Sequence, residues 1–504
     1  MKVEKSLKLA HTSSVLISVI LNALLVVGLF TFITLSSGME RDTTTVMVID
    51  PVNQEDIEEL EEEIVEEVQE PDDLDELVDF TLDTPMDTQF EQETEAVADV
   101  TNTDVSSLSD LMSDVSSPVV MTGLLVGRTP RARQAAAARY GRGLEKFSEP
   151  AVMKSLEWLR DHQAADGSWN KQGTKSRGNV GYTGLALLAF LAHGETPASL
   201  EFGDTVSRGL RFLVENQDSK GVFRPAGGHT VYGHAMATYA MAEAYTMTDT
   251  ILLREPLQRG VKVIMDGQME NGGYDYEYKK ENRNDVSVGA WHVQALKASS
   301  IALHDDPEVK KYFQHAMDGM VFGSSVNSDG ARSFAYTVNN AGKLGNGNHP
   351  ILSSAGTLGL YLSGRSKSKE ARQALKYIER FTNSDLLPQW GNLKSAGSST
   401  YGGEIMLWYY TVQAFFQENP DGKNFTRYMA SMVKALAQNQ AEDGHWDCYT
   451  ENGKKQGPVF NTSLAALGLM VYYRYLPTTQ ADNIKPAEAT FDVDEDDGDI
   501  GFEI

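Results

Sequence analysis

Three side chains in this 504-residue sequence could carry catalysis by their type: His234, Asp285 and Glu404. A histidine beside a glutamate can exchange protons as an acid–base pair. Two carboxylates facing a cleft can divide the acid and base roles of glycosidic cleavage. His234 with Glu404 would make the first arrangement, and Asp285 with Glu404 the second. Polar and aromatic residues recur around them in the sequence: Tyr182, Thr183, Tyr232, Ser287, Ser353, Ser354, Tyr401, Asn461 and Thr462. All of these but Ser353 and Ser354, together with Trp291, are the expected ligand-binding residues. The alternative is that each merely caps a helix, and Asp285 is of a type that commonly does so. His229 and His234, five apart across Gly233, argue only weakly for a metal, so no metal and no cofactor is expected.

What would bring such distant residues together is a repeat. "HQAADGSWN" at 162–170 returns as "NQAEDGHWD" at 439–447, with five of nine positions identical. Between them the same unit recurs in weaker form. Trp169, Phe223, Tyr274, Tyr336, Trp390 and Trp446 mark one point in each copy, 51 to 62 residues apart. Every unit pairs an amphipathic helical pattern, such as "VMKSLEWLRD", with an apolar one, such as "YTGLALLAFLAHGE" or "ILSSAGTLGLYLSG". A helix with one apolar stripe lies on a surface, whereas one apolar all round is buried on every side. Six hairpins in two concentric rings follow, amphipathic helices outside and apolar ones inside.

The Gln-x-x-x-Gly-aromatic turn reads as a clasp between them. Glycine permits the tight turn, the glutamine amide bonds backbone groups at a helix end, and the ring packs across neighbours. In a closed ring the first and last units become neighbours. The inner helices all run one way, so the polar residues above gather at one mouth, where helix N-termini supply free N–H donors. Such a mouth suits an anionic or hydroxyl-rich group, and an apolar lining below it suits an amphiphile or peptide.

The flanks are of another character. Net charge is −27, but residues 40–114 hold 27 acids against Arg41 alone, and the tail from Lys485 onwards is also acidic. Residues 115–484 are left near neutrality, so the charge argues for no nucleic-acid partner. Ser13–Ser37 is 25 residues without a charge, long enough to span a bilayer of about 30 Å and longer than a signal peptide's apolar run. Lys2, Lys5 and Lys8 precede it, which places the N-terminus in the cytoplasm. The expected organisation is a cytoplasmic segment 1–12, a transmembrane anchor 13–37, a disordered acidic linker 38–128, the helical ring 129–477 and a disordered tail 478–504. The lipid bilayer is then a partner through 13–37, and the ring is extracytoplasmic at a bacterial inner membrane. A single cysteine, Cys448, excludes an internal disulfide.

The segments "YTGLALLAFLAHGET", "YGHAMATYAMAEAY", "DVSVGAWHVQALK" and "VYYRYLP" resemble the prenyltransferase and squalene-oxidase repeat of squalene–hopene cyclases, in its membrane-anchored bacterial form. The resemblance covers about Thr129 to Pro477 and implies an all-α, α/α-toroid fold. It implies less about activity. A cyclase protonates an alkene with an Asp-x-Asp-Asp motif, and the matching stretch here reads Asn282-Arg283-Asn284-Asp285, with an amide in the donor's place. A prenyltransferase zinc site needs Asp, Cys and His, but Cys448 has Asp447 directly beside it and no histidine follows His445. The thioester sequence of related toroids is absent. The expectation is therefore a binding or scaffold domain, with a terpenoid cyclase or transferase using another acid, or a carbohydrate-active toroid, as the enzymatic alternatives.

Overall fold

In the computed structural model of the chain, residues 128–224, 230–281, 283–382, 387–390, 404–447 and 450–474 are described. The expected anchor, linker, acidic tail, His229, Asn282, Tyr401 and Cys448 lie outside them. Among the described residues no helix is long and apolar enough to cross a membrane.

A helix not anticipated from the repeats comes first, α1 (Pro130–Tyr140), with Pro at its N1 position and Thr129 capping it. Hairpin one is α2 (Glu145–Asp161) and α3 (Val180–His193), and hairpin two is α4 (Gly203–Glu215) and α5 (Thr230–Thr248). Hairpin three joins α6 (Ile251–Gly267) to α7 (Val286–Ala302), and hairpin four α8 (Pro307–Phe322) to α9 (Pro350–Leu362). Hairpin five is α10 (Lys369–Thr382) with α11 (Ile405–Glu418). In hairpin six α12 (Lys423–Ala437) leads through the short α13 (Glu451–Gln456) to α14 (Pro458–Leu469), and α15 (Val471–Arg474) follows.

The first helix of each pair has one buried stripe, and the second is buried nearly throughout; in α3 only Tyr182 is not buried. Close packing between inner helices rests on their small residues. A Cβ on Gly181 would meet Gly233, and one on Gly184 would meet Met236, so α3 and α5 lie parallel in a fixed register. Farther round, Ser354 on α9 bonds Thr411 on α11 at 2.8 Å.

The clasp differs from expectation in what it binds. Gln163 Nε2 donates to the Gly167 carbonyl in its own turn and to Thr205 O on the next outer helix, at 3.0 and 2.9 Å. Gln217 does the same with Gly221 and Pro256, and Gln268 reaches Tyr312. The glutamine therefore stitches one hairpin to the next instead of closing its own helix end. Hairpin six repeats the stitch onto hairpin one: Gln440 Nε2 donates to Ala151 O at 2.8 Å. Gly444, at φ +100°, lies so close to the Lys154 carbonyl that a Cβ would overlap it. That seam closes the ring.

The aromatic marker is tied to its own inner helix through its backbone. The N–H of Trp169 donates to Thr183, that of Phe223 to His234, that of Tyr274 to Asn284 and that of Trp446 to Thr462. In hairpin four the residue making this bond, to Ser353 at 3.0 Å, is Phe334 and not Tyr336. The two-residue shift comes from an insertion the helical pattern could not reveal. Strands β2 (Ser324–Val326) and β3 (Arg332–Phe334) pair antiparallel, and β4 (Thr337–Val338) and β5 (Leu344–Gly345) form a hairpin. β4 also pairs antiparallel with β1 (Asn284–Asp285), placing the insertion of hairpin four against the entry to α7 in hairpin three.

Candidate functional site

Asp285 occupies the N-cap position of α7, but its side chain makes no cap hydrogen bond. The first helical N–H, on Val286, donates instead to the carbonyl of Tyr336, the residue preceding β4, at 3.0 Å. Relieved of the cap, the carboxylate is fully buried and turned to other partners. Ser287 Oγ donates to its Oδ1 at 2.5 Å, and Arg283 Nη2 donates to its Oδ2 at 2.8 Å. The expectation that Asp285 serves as a cap is thus corrected: its side chain accepts no backbone N–H of α7 and is held by Ser287 and Arg283.

A line of hydroxyls leads away from this carboxylate. Ser287 Oγ lies 2.5 Å from Tyr232 Oη, and Tyr276 Oη lies 2.9 Å from Tyr336 Oη. The Tyr232 and Tyr276 rings lie tilted against each other, with centroids 6.0 Å apart. The Arg283 guanidinium lies over the Tyr276 ring at 4.9 Å. Burial and the nearby Asp285 charge push the Tyr232 phenol far above its ordinary range; burial chiefly does the same for Tyr276. Both phenols therefore stay protonated. Tyr232, Tyr276 and Tyr336 are only partly buried, whereas Asp285 beneath them is sealed.

The other expected site residues divide into two groups. Thr183, His234 and Thr462 hold the aromatic clasps described above. His234 accepts the Phe223 N–H on Nδ1, so its Nε2 carries the proton donated to Gly260 O at 3.0 Å. Both ring nitrogens are committed to backbone, and burial lowers its pKa to about 4. The expected His234–Glu404 acid–base pair does not form. Asn284, in the place of a cyclase's proton donor, is the equivalent clasp of hairpin three: it accepts from Tyr274 N and donates to Gly319 O at 2.9 Å. The second group stays near the mouth or the axis. Tyr182 is partly buried, which raises its phenol pKa. Glu404 is buried at the N-cap position of α11, again without a side-chain cap bond. Asn461 is buried in α14, and Trp291 stacks on Tyr409 across the ring at 6.2 Å.

Below the mouth, the axis is filled with polar side chains no sequence pattern flagged. Arg474 Nη2 donates to Tyr239 Oη at 2.6 Å, while Nη1 reaches Tyr409 Oη and Gln413 Oε1 at 3.3 and 3.4 Å. Tyr239 belongs to hairpin two and Tyr409 to hairpin five, which face each other in a ring of six. Their rings lie 5.6 and 5.7 Å from the guanidinium carbon, so the cation is held between two π faces. Tyr409 also donates to Gln294 of hairpin three at 2.7 Å. Arg128 pairs with Glu243 at 2.9 Å and donates to Arg474 O at 3.3 Å. Arg128, Arg474 and Glu243 are all buried.

Two parallel rings of helices closed by a first-to-last seam define an α/α toroid, and comparison with solved structures agrees. A structure of an unsaturated glucuronyl hydrolase specific for heparin matches with a TM-score of 0.50 at 13% identity, covering 68% of this chain and 99% of that one. A D-mannose isomerase matches with a TM-score of 0.49 at 13% identity, covering 65% of this chain and 97% of its own. An α-1,6-mannanase from Salegentibacter sp. HEL1_6 matches at 0.47 and 12% identity, over 65% and 98%. At these identities the likeness concerns fold. No protein-family model and no curated protein matches the sequence. The cyclase-type resemblance is therefore retained only as a shared toroidal architecture.

Proposed function

We propose that this protein is a carbohydrate-active toroid that works at the mouth formed by the N-termini of its inner helices. The observation that carries the reading is the uncapped, buried Asp285 carboxylate beneath three partly exposed tyrosines. Tyrosine faces pack on the C–H faces of a sugar ring while their hydroxyls bond its edges, which suits an amphipathic, hydroxyl-rich ligand. Glu404, on the same side of the ring, is the second carboxylate such chemistry would call on. The named sugar substrates of the toroids of similar fold are consistent with this choice.

A terpenoid cyclase reading draws less support. Asn284 has no acidic proton and is occupied as a clasp, and Arg474 stands on the axis where a long hydrocarbon would lie. The Arg283–Asp285 ion pair favours a second reading, recognition of a glycan without turnover, because it neutralises the carboxylate. The anchor at 13–37 and the acidic linker would hold either activity on the outer side of a bacterial inner membrane.

The test is a panel of neutral and acidic oligosaccharides presented to the full-length protein, read by calorimetry for binding and by mass spectrometry for products. Asp285→Asn should abolish products while retaining binding, and Tyr276→Ala should weaken binding about tenfold or more. Binding without product supports the recognition reading. Cyclisation of squalene by the wild type, or no interaction with any glycan, would overturn the proposal.

A further inference from the structure

The loop between the Tyr274 clasp and α7 is strained, and one phenol that no sequence pattern flagged holds it. Tyr278 sits at φ +57°, and Lys280, two residues on, has the same value. A bulky L-residue is an outlier there, because its Cβ crowds the following carbonyl. Two features seat Tyr278 nonetheless. Its ring lies over Gly267 at the end of α6, so close that a Cβ on that glycine would overlap it. Its hydroxyl lies 2.7 Å from His292 Nε2 on α7.

The direction of that bond follows from counting protons. The other ring nitrogen of His292, Nδ1, faces the Val288 carbonyl at 2.8 Å, and a carbonyl can only accept. Nδ1 therefore carries the hydrogen, and burial, which lowers the ring's pKa to about 3, keeps Nε2 bare. Tyr278 is thus the donor, and burial pushes its phenol well up, so that it stays protonated. Asp275, itself buried, gathers the rest of the loop. Its carboxylate accepts the N–H groups of Glu277, Lys279 and Glu281 at 3.0, 2.9 and 3.1 Å. Between Asp275 and Tyr278 in the chain lies Tyr276, the mouth residue bonded to Tyr336.

We propose that Tyr278 is a positioning residue of the mouth: pinned to α7 through His292, it holds the strained loop 275–281 so that Tyr276 meets Tyr336 in the geometry a ligand requires. The proposal rests on the reading that the mouth is the working site. The pin is made to the helix that begins at Asp285 and carries Ser287, so one rigid element sets both the carboxylate and the phenol. Strained backbone persists only where the surrounding contacts over-determine it, and it gathers where a site must be preorganised. Tyr278 acts through Tyr276, since its own hydroxyl is spent on His292.

The first arm of the test needs no ligand, so its failure is separable from failure of the carbohydrate reading. Incorporate 3-fluorotyrosine at position 276 of the full-length protein and record its fluorine NMR line, which should be single and sharp in the wild type. Tyr278→Phe keeps the ring but takes the hydrogen from His292. It should broaden or split the line, as Tyr276 samples more than one position. Gly267→Ala, which displaces the ring, should do the same. Lys280→Gly relieves the second positive φ without touching the pin, and should leave the line sharp. Tyr472→Phe is the control: it removes a phenol bonded to Ser148 at 2.8 Å, outside hairpin three, and should not alter the line. In the second arm, Tyr278→Phe should weaken binding of any glycan the wild type takes by about tenfold, the scale of one lost buried hydrogen bond. A sharp, unshifted line in Tyr278→Phe would overturn the proposal, whatever the melting temperature. So would a line disturbed equally by Tyr472→Phe, which would mean general loosening of the fold.

Discussion

Arg474 donates to Tyr239 at 2.6 Å from the last turn described at the C-terminal end to the second hairpin, with the Tyr409 ring of the fifth on its other side. Since hairpins two and five face each other, this one cation spans the bore of the toroid. Arg128, which precedes the first helix, meets Arg474 there through a main-chain bond and carries the pairing on to Glu243. The two ends of the folded domain are thus fastened to each other at the axis, near the C-terminal ends of the inner helices and away from the mouth.

Breaking the buried pair should be costly. Glu243→Met would take the carboxylate from two buried guanidiniums, Arg128 and Arg474, at a cost of about 3–5 kcal/mol, whereas Arg128→Met would leave Glu243 with Arg474 at 3.9 Å and should cost less. The double variant should recover only part of the Glu243→Met loss, because Arg128 is then gone while Arg474 still lacks the carboxylate. Denaturant unfolding measures all three. A loss below about 1 kcal/mol in Glu243→Met would mean that water or relaxation satisfies the two guanidiniums.

The seam between hairpins six and one should be as demanding as any stitch within the ring. Gly444→Ala combines a positive φ with an overlap on the Lys154 carbonyl. Gly342→Ala has a similar φ of +78° but open space around it, so it should cost only the strain of about 1 kcal/mol. Thermal unfolding of the two should separate clearly. Equal effects would show that hairpins six and one are not packed as closely as the ring requires.

Acid should weaken the fold through two buried histidines. Burial lowers His234 to about 4 and His292 to about 3, below the ordinary value near 6.5. The unfolded chain therefore binds protons first as pH falls. Stability is full above about 6.5 and is lost progressively as pH drops towards 4, by up to about 1.4 kcal/mol per pH unit for each histidine. His234→Thr puts in hairpin two the residue type that makes the same clasp in hairpins one and six. It should flatten the melting temperature's pH dependence between 6.5 and 4, and an unaltered slope would exclude His234 as its source.

Glu418 should behave in the opposite sense. Burial first, and the Glu379 charge second, raise its carboxyl to about 7. A raised acid opposes folding while ionised, so its cost is present above pH 7 and fades as pH falls towards the ordinary carboxyl value. Glu418→Gln should raise the melting temperature at pH 8 and leave it nearly unaltered at pH 5. Equal melting temperatures at pH 8 would mean that the pair is screened by water.

Much of the ring was already legible in the order of residues. Hydrophobic periodicity separates "VMKSLEWLRD" from "ILSSAGTLGLYLSG" because helix burial depends on which faces are apolar, a local property of each segment. The recurrence of Gln, Gly and an aromatic residue likewise implies equal environments, and Gln440 repeating the role of Gln163 follows from it. The roles of the polar residues were not local in this way. His234 and Asp285 stand at comparable inner-helix N-termini, yet one is consumed by a backbone clasp and the other is freed from capping. What separates them is their partners: the His234 ring is held by Phe223 N and Gly260 O, the Asp285 carboxylate by Ser287 and Arg283. The axial arginine is a similar case, since Arg474 is buried among Tyr239 of hairpin two, Tyr409 of hairpin five and Arg128 ahead of the first helix. Periodicity fixes burial one segment at a time; hydrogen-bond partners across hairpins exist only once the ring has closed.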